Sequence, residues 1–244
     1  MAKGSKPRAK PKRKPAPRRD GLGYRDILRW TGRGLLGLVG AFFFLVLAFT
    51  VVPPVVTPYM IAENWRQGGI RRDWVALEDM APVMARAVVA AEDANFCLHW
   101  GFDMAAIRAA LDEGAGRGAS TLSQQVVKNV FLWQGRSWPR KALEALMTPV
   151  VELVWTKRRI VEVYLNVAET GRGMFGAAAA AEGYFGVSAA DLSPAQAGLI
   201  AAALPDPKGR NPARPSGFLR SRARAILSGA ETIRADGRAA CFED

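Results

Sequence analysis

Glu92 and Asp93 close an apolar run, Val88-Val89-Ala90-Ala91, a setting in which one of two adjacent carboxylates would be poorly hydrated. Loss of water raises a carboxyl's pKa, and a carboxylate poised nearer neutrality is a useful general base. Further along, Ser120-Thr121-x-x-Gln124 has the spacing of a capping box, and the first amides of the helix it opens would attract a phosphate. On that helix Gln124 and Lys128 are one turn apart and share a face; by itself this is also the pattern of a capped amphipathic helix with a solvated lysine. A third group, Arg136, Arg140, Lys141 and Glu144, gathers around a helix start at Pro139. Taken alone, Arg140 and Glu144 read as a surface ion pair worth under about 1 kcal/mol. The lone His99 reads as structural, because no Cys, His or acidic cluster at metal spacing accompanies it.

The elements that must carry these groups are helical. From Pro58 onward the apolar residues recur mostly at helical spacing among Ala-rich helix formers, so the fold class is all-α. The pattern predicts helices over Pro82–Glu92, Met104–Leu111, Thr121–Phe131, Pro139–Trp155, Lys157–Asn166, Met174–Gly183, Pro194–Ala203 and Phe218–Ile233, separated by Gly, Pro and Ser punctuation. Within Lys157–Asn166, Ile160, Val163 and Tyr164 form an apolar face behind a charged one. Asp112 to Gly118, rich in glycine, is expected to be a mobile loop beside the chemistry.

The net charge of +12 is concentrated at one end: Met1 to Arg33 holds twelve Lys and Arg against Asp20 and Asp26, leaving +2 for the rest. Such a tail, without apolar periodicity, cannot offset the entropy of ordering and is expected to be disordered. Leu35 to Val52 is an uncharged apolar run ending at Pro53-Pro54, long enough for one transmembrane helix. The basic cluster before it places the N-terminus in the cytoplasm and the remainder across the membrane; a cleaved signal peptide is disfavoured by the long charged region and the lack of an Ala-x-Ala-like site. The expected organisation is a basic tail over 1–33, an anchor over 34–56 and one catalytic domain over 57–244. The anchor makes lipid headgroups, and not nucleic acid, the partner of the tail. Cys97 and Cys241 then lie on the oxidising side, either as a disulfide or as a buried and an exposed free thiol.

In order along the chain, Glu92-Asp93 with Phe96, His99 and Gly101, then Ser120-Thr121 with Gln124-Gln125 and Lys128-Asn129, then Arg140-Lys141 with Glu144, then Lys157 with Tyr164-Leu165-Asn166, then Gly176 with Tyr184-Phe185-Gly186, resembles the successive motifs of the peptidoglycan glycosyltransferase family. The Trp133-x-x-Arg136-Ser137-Trp138 segment is similar to its monofunctional biosynthetic transglycosylase branch; Ala119 and Cys97 depart from the common pattern without touching the chemistry. The resemblance implies a lysozyme-like helical domain that polymerises lipid II into β-1,4-linked glycan with release of undecaprenyl pyrophosphate. It implies Glu92 as base and Glu144 as second carboxylate. Asp93, Ser120, Thr121, Gln124, Gln125, Lys128, Asn129, Arg136, Arg140 and Lys141 are implied to bind substrate and pyrophosphate. Phe96, His99, Gly101, Lys157, Tyr164 and Asn166 are implied as structural motif residues. No cofactor is required, and a divalent ion, Mg or Mn, is optional at the pyrophosphate.

The implied partners are lipid II, the growing strand, membrane lipids and cell-wall synthesis proteins. A separate transpeptidase is among them, since no Ser-x-x-Lys or Lys-Thr-Gly occurs here. The implied location is the bacterial inner membrane with a periplasmic domain, touching the bilayer through Trp100, Phe102, Met104 and Ile107. Two rivals remain: a lytic transglycosylase or lysozyme-type enzyme, and an inactive membrane-anchored assembly factor.

Overall fold

The computed structural model describes residues 1, 23–112, 118 and 120–243, in two units, Met1–Phe44 and Leu45–Asp244. The first unit is dominated by helix α1 (Tyr24–Ala48), which is 25 residues long and contains an 18-residue window of mean hydropathy 1.8, enough in length and composition to cross a membrane. Its start corrects the expected boundary: residues 24–33 are helical and carry Arg25, Arg29 and Arg33 on the first turns, while 49–56 leave the helix for turns and extended chain. Arg and Leu are good helix formers, Ile, Trp and Tyr adequate ones, and no proline falls in 24–33 to halt the helix. The expected tail over 2–22, and 113–117 of the expected mobile loop, lie outside the described residues.

The second unit begins with the last turn of α1 and the turns that follow it, where side chains take several of the open carbonyls. Trp155 Nε1 donates to Val46 O at 2.7 Å, and Arg159 donates to Phe49 O at 2.9 Å and Val52 O at 3.0 Å. Helix α2 (Pro58–Gln67), absent from the sequence expectations, is capped by Thr57, whose hydroxyl accepts Met60 N at 3.2 Å, and ends at Gly68 with φ 70°. There follow β1 (Arg71–Arg72), α3 (Pro82–Glu92), α4 (Met104–Asp112), α5 (Leu122–Phe131), α6 (Trp138–Val154), α7 (Lys157–Val167), β2 (Glu169–Gly171), β3 (Met174–Phe175), α8 (Gly176–Phe185), α9 (Pro194–Ala203), α10 (Gly217–Ala235) and α11 (Ala240–Glu243).

The fold is mostly helical, as expected, with one small sheet in the order β1-β3-β2, parallel across the first pair and antiparallel across the second. That sheet corrects the helix expected over Met174–Gly183. Met174 and Phe175 are strand, and the helix starts only at Gly176, whose φ of 88° interrupts the backbone where an added Cβ would lie 3.0 Å from Asn166 O.

The core forms where α3, α9 and α10 pack together. Met84, Val88 and Val89 of α3 face Ile200 and Ala201 of α9 and Leu219, Ile226 and Ile233 of α10, all buried, each worth about 1.5–3 kcal/mol for a fully buried large side chain. Gly198 lets α9 approach α10 closely, since a Cβ there would lie 2.9 Å from Leu227 Cγ. A second cluster joins α5 to α6 and α7, and α7 to α8 and α11. Cys97 and Cys241 are bonded, with Cα atoms 5.7 Å apart, so the C-terminal helix is tied to the loop after α3. The pair left open in the sequence is thus a disulfide here.

Candidate active site

Glu92 is the last residue of α3, and its carboxylate reaches the second turn of α5, where Gln125 Nε2 donates to Oε2 at 2.9 Å. Burial raises the Glu92 pKa above the ordinary carboxyl range, and the Asp93 charge adds to this; the Gln125 hydrogen bond and the charges of Arg222 and Lys128 oppose it. Gln125 Oε1 in turn accepts from the Tyr164 hydroxyl at 3.3 Å, so a chain of hydrogen bonds runs from α7 through α5 to α3. Glu92 opens onto a cavity of 710 Å³ whose wall includes Asp93, Asn95, Asp103, Ser120, Gln125 and Arg222.

Asp93 has a different task. Its Oδ2 accepts Leu122 N at 2.9 Å and its Oδ1 meets His99 Nε2 at 2.9 Å. Asp93 stands on the cavity wall with both carboxylate oxygens engaged inside the protein, and Leu122 N, the first amide of α5, is taken by that carboxylate where the sequence pattern had suggested a phosphate. Thr121 and Gln124 are also turned inward. They form the expected capping box, with Thr121 Oγ1 accepting Gln124 N at 3.3 Å and Gln124 Oε1 accepting Thr121 N at 3.1 Å, and the Thr121 hydroxyl donates to Gly101 O at 2.7 Å. Gln124 stands one turn before Lys128 on the helix, but its side chain folds back onto the cap, so the glutamine that lines the Lys128 cavity is Gln125.

Lys128 and Asn129 line a second cavity of 370 Å³, which shares Gln125 and Pro205 with the first. Among the described residues the Lys128 ammonium makes no hydrogen bond or ion pair. Burial lowers its pKa, with the charges of Glu144 and Glu92 pulling upward and those of Arg140 and Lys141 downward. Asn129 is held by Gln134, whose Nε2 donates to its Oδ1 at 3.1 Å.

Glu144 receives both neighbouring cations: Arg140 Nη1 at 2.6 Å on one oxygen and Lys141 Nζ on the other. The side chains of Arg140 and Glu144 are only 10% and 3% exposed, which corrects the reading of a surface pair. Arg140 Nε donates to Gly135 O at 2.8 Å, and Lys141 Nζ donates to Ser120 Oγ at 2.9 Å, linking the start of α6 to the residue before the α5 cap. Exposed Arg136 stands beside them in a pocket of 290 Å³ formed with Ser137, Trp138, Arg140 and Lys141.

The motif residues expected to be structural lie behind these groups. Lys157 Nζ donates to His99 O at 2.8 Å and Glu152 Oε1 at 2.9 Å, and sits 4.2 Å from the centre of the Phe96 ring. Asn166 pairs both ways with the Val75 backbone, accepting its N–H at 2.9 Å and donating to its carbonyl at 2.8 Å. Gly101 has φ 83°, and a Cβ there would lie 2.8 Å from Thr148 Cγ2.

Sequence reasoning passed over several groups. Arg222 of α10 lines the Glu92 cavity, and its buried Nε has no partner among the described residues. Buried Glu152 accepts from Ser123 and Lys157. At the far end of the Lys128 cavity, Glu169 accepts from Tyr59 and pairs with Lys208 at 3.4 Å, and fully buried Glu63 accepts from Lys208 at 2.6 Å. Burial would raise Glu63, but hydrogen bonds from Lys208 and Gln67 hold it below the usual range. Only an arginine-rich register in α10 hinted at Arg222; nothing local marked the rest. Among the described residues no group of three or more His, Cys, Asp or Glu converges to hold a metal ion.

A family model described as Transglycosylase matches residues 60–231. The chain is 61% identical over 214 residues to the biosynthetic peptidoglycan transglycosylase of Jannaschia sp. (strain CCS1), covering 88% of this chain and 90% of that protein. It is 49% identical over 209 residues to the protein of that name from Stutzerimonas stutzeri (strain A1501), covering 82% and 86%. With that from Rhodospirillum centenum (strain ATCC 51521 / SW) it shares 47% over 224 residues, covering 89% and 96%.

Proposed function

The chain belongs to the transglycosylase family and is a glycosyltransferase of peptidoglycan synthesis, and from that premise we propose that it polymerises lipid II, with Glu92 as the base and Lys128, Arg136, Arg140 and Lys141 as the cations that receive the pyrophosphate. The observation that carries this reading is the placement of a half-buried carboxylate and an unpaired, half-buried ammonium in adjoining cavities, with Gln125 lining both.

In the reaction the acceptor's 4-hydroxyl gives its proton to the Glu92 carboxylate as its oxygen forms a bond to C1 of the donor. The bond from C1 to the pyrophosphate oxygen breaks on the opposite face, which inverts the anomeric centre. A raised Glu92 pKa makes the carboxylate a stronger base while leaving it ionised above that pKa. The departing pyrophosphate is a weak base and needs charge more than a proton. Lys128 supplies it from the cavity wall, and Arg136 with the outer pocket supplies it from the entrance. Glu144 holds Arg140 and Lys141 in place and so shapes the charge without meeting the substrate.

The wider setting in this proposal is a single-pass protein of the bacterial inner membrane, with the basic tail cytoplasmic and the catalytic unit periplasmic. The basic residues before an apolar helix support that orientation, and the disulfide suits an oxidising compartment. Trp100 and Met104, exposed at 60% and 54%, together with exposed Leu98 and Leu111, offer the apolar contact to the bilayer, while Phe102 and Ile107 are half-buried. Cross-linking falls to a separate transpeptidase. A divalent ion, Mg or Mn, stays optional in this scheme, because Lys128, Arg136, Arg140 and Lys141 already bring positive charge to the pyrophosphate.

The test is incubation of the detergent-solubilised chain with labelled lipid II and separation of products by gel. Long glycan from wild type and none from Glu92→Gln is the expected result. Solubilised fragments from polymeric wall, with no product from lipid II, would replace this reading with a lytic one.

A further inference from the structure

The Cys97–Cys241 disulfide joins the loop that follows Glu92 to the last helix of the chain, and it is one of several ties made by the same short segment. Arg238 Nη1 donates to Ala94 O at 3.2 Å and to Asn95 Oδ1 at 3.3 Å. Asn95 Nδ2 passes the contact on to Asp103 Oδ2 at 3.0 Å. Arg86 of α3 donates to Glu243 Oε1 at 2.7 Å, so the segment also grips the helix that ends in Glu92. Buried Phe242 anchors the segment's other side, where its carbonyl accepts from Arg158 Nη1 at 3.2 Å. Asp236 fixes the aim of Arg238 with hydrogen bonds of 2.9 and 2.7 Å.

We propose that residues 238–243 act as a strap that positions the Glu92 loop, and that the Cys97–Cys241 bond makes this positioning depend on the thiol–disulfide state of the protein. The proposal rests on the reading of Glu92 as the base. The loop from Asp93 to Asp103 has little to hold it by packing: Ala94, Leu98 and Trp100 are exposed, and Phe96 is its one large buried apolar side chain. Segments with so few buried contacts open locally at low cost unless they are tied. Leu122 N on Asp93, Thr121 on Gly101 O and Lys157 on His99 O hold its two ends from the α5 and α7 side, and the ties between them, at Ala94, Asn95 and Cys97, come from the chain's other end, 144 residues away in sequence from Cys97.

Both cysteines are half-buried, so a small dithiol can reach them. In that exchange the reductant's two thiols become its own disulfide, and Cys97 and Cys241 take up the two electrons and two protons. Reduction leaves the strap on hydrogen bonds, the partly exposed Arg86–Glu243 ion pair and the packing of Ala239 and Phe242. The Glu92 carboxylate is then surrounded by the same groups in a looser frame: Asp93 on its own loop, Asp103 at the start of α4, Lys128 and Gln125 on α5, Tyr164 on α7 and Arg222 on α10. Water entering beside Glu92 weakens it as a base and lets it ionise at lower pH. Turnover falls, while the cations on α5 and α6, which the strap does not touch, keep substrate affinity.

The experiment uses the full chain in detergent with labelled lipid II, measuring kcat and KM across pH with and without dithiothreitol. Wild type should lose about ten- to a hundredfold in kcat on reduction, with KM little changed and the acid limb of the kcat profile moved to lower pH. Cys97→Ser/Cys241→Ser should show the reduced behaviour and ignore dithiothreitol. Unchanged kcat and acid limb in reduced wild type, with glycan still made, would overturn the strap and leave the polymerase reading standing. If oxidised wild type makes no glycan, that reading fails, and amide exchange of residues 93–101 decides the strap: unchanged protection on reduction overturns it. Should reduction melt the whole domain, Arg238→Ala carries the test with the disulfide intact. It should move the acid limb the same way, with Arg238→Lys restoring it, and an unmoved limb overturns the strap.

Discussion

The Gln125 side-chain amide donates to Glu92 Oε2 at 2.9 Å from the same helix face that presents Lys128 to the adjoining cavity. One turn of α5 therefore spaces the proposed base from the proposed leaving-group cation. A hydrogen bond to a charged group contributes about 1.5–3 kcal/mol, so Gln125→Ala should lower kcat by roughly ten- to a hundredfold with a smaller change in KM. Because this bond pulls the Glu92 pKa down, its loss should move the acid limb of the rate profile to higher pH. Steady-state kinetics against pH with lipid II checks both.

Glu92→Gln should abolish polymerisation, a loss of at least about a hundredfold, and should also stabilise the fold near neutral pH. The sign follows from burial: a carboxyl whose folded pKa is raised contributes most below its unfolded pKa, and that contribution is lost as pH rises through the folded value. Thermal melts should show the variant above wild type at pH 7 to 8 (about the working range of such a base), with the gap closing in acid. A variant that melts below wild type at neutral pH would contradict the buried, strained carboxylate.

Lys128 has its pKa lowered chiefly by burial, so activity should fall on the alkaline side before an ordinary lysine would titrate. Lys128→Ala should cost about a hundred- to a thousandfold in kcat, as for loss of one preorganised donor to a developing anion. Lys128→Arg should keep part of the activity and push the alkaline limb upward, which the same pH series would read.

Glu144→Ala should act on the fold as well as on turnover. It would leave the Arg140 guanidinium, 10% exposed, without its carboxylate, and breaking a buried pair costs about 3–5 kcal/mol. Lys141, 39% exposed, adds little because water can replace its partner. A marked fall in melting temperature is expected, with a smaller fall for Glu144→Gln.

Gly101→Ala should destabilise by more than about 1 kcal/mol, since the backbone is left-handed there and the new methyl would meet Thr148. The Thr121 hydroxyl bond to Gly101 O would be disturbed with it. Melting and lipid II turnover should fall together.

Much of the frame was legible because helices announce themselves through periodicity and punctuation. The end of α3 at Glu92, the cap at Thr121 and the start of α9 at Pro194 all lie where local patterns put them. The helix α2 was passed over because its inward face, Tyr59, Met60 and Glu63, ends on a glutamate that reads as exposed. The strand Met174–Phe175 was passed over because two residues paired to distant partners leave no periodic mark.

The amino-acid order by itself determined the helical class, the apolar N-terminal helix, the family and the identity of the carboxylates and cations, because each of these is carried by residue type and short-range spacing. The tertiary structure alone decided which polar groups face the cavities. Asp93, Thr121 and Gln124 were drawn inward to close the start of α5, Gln125 and Lys128 were left facing the cavities, and Arg222 was brought from the far end of the chain to the Glu92 cavity. Helix ends must satisfy their open amides with whatever folding brings near, and the choice between an internal carboxylate and a bound phosphate is made by packing between segments that sequence spacing does not relate.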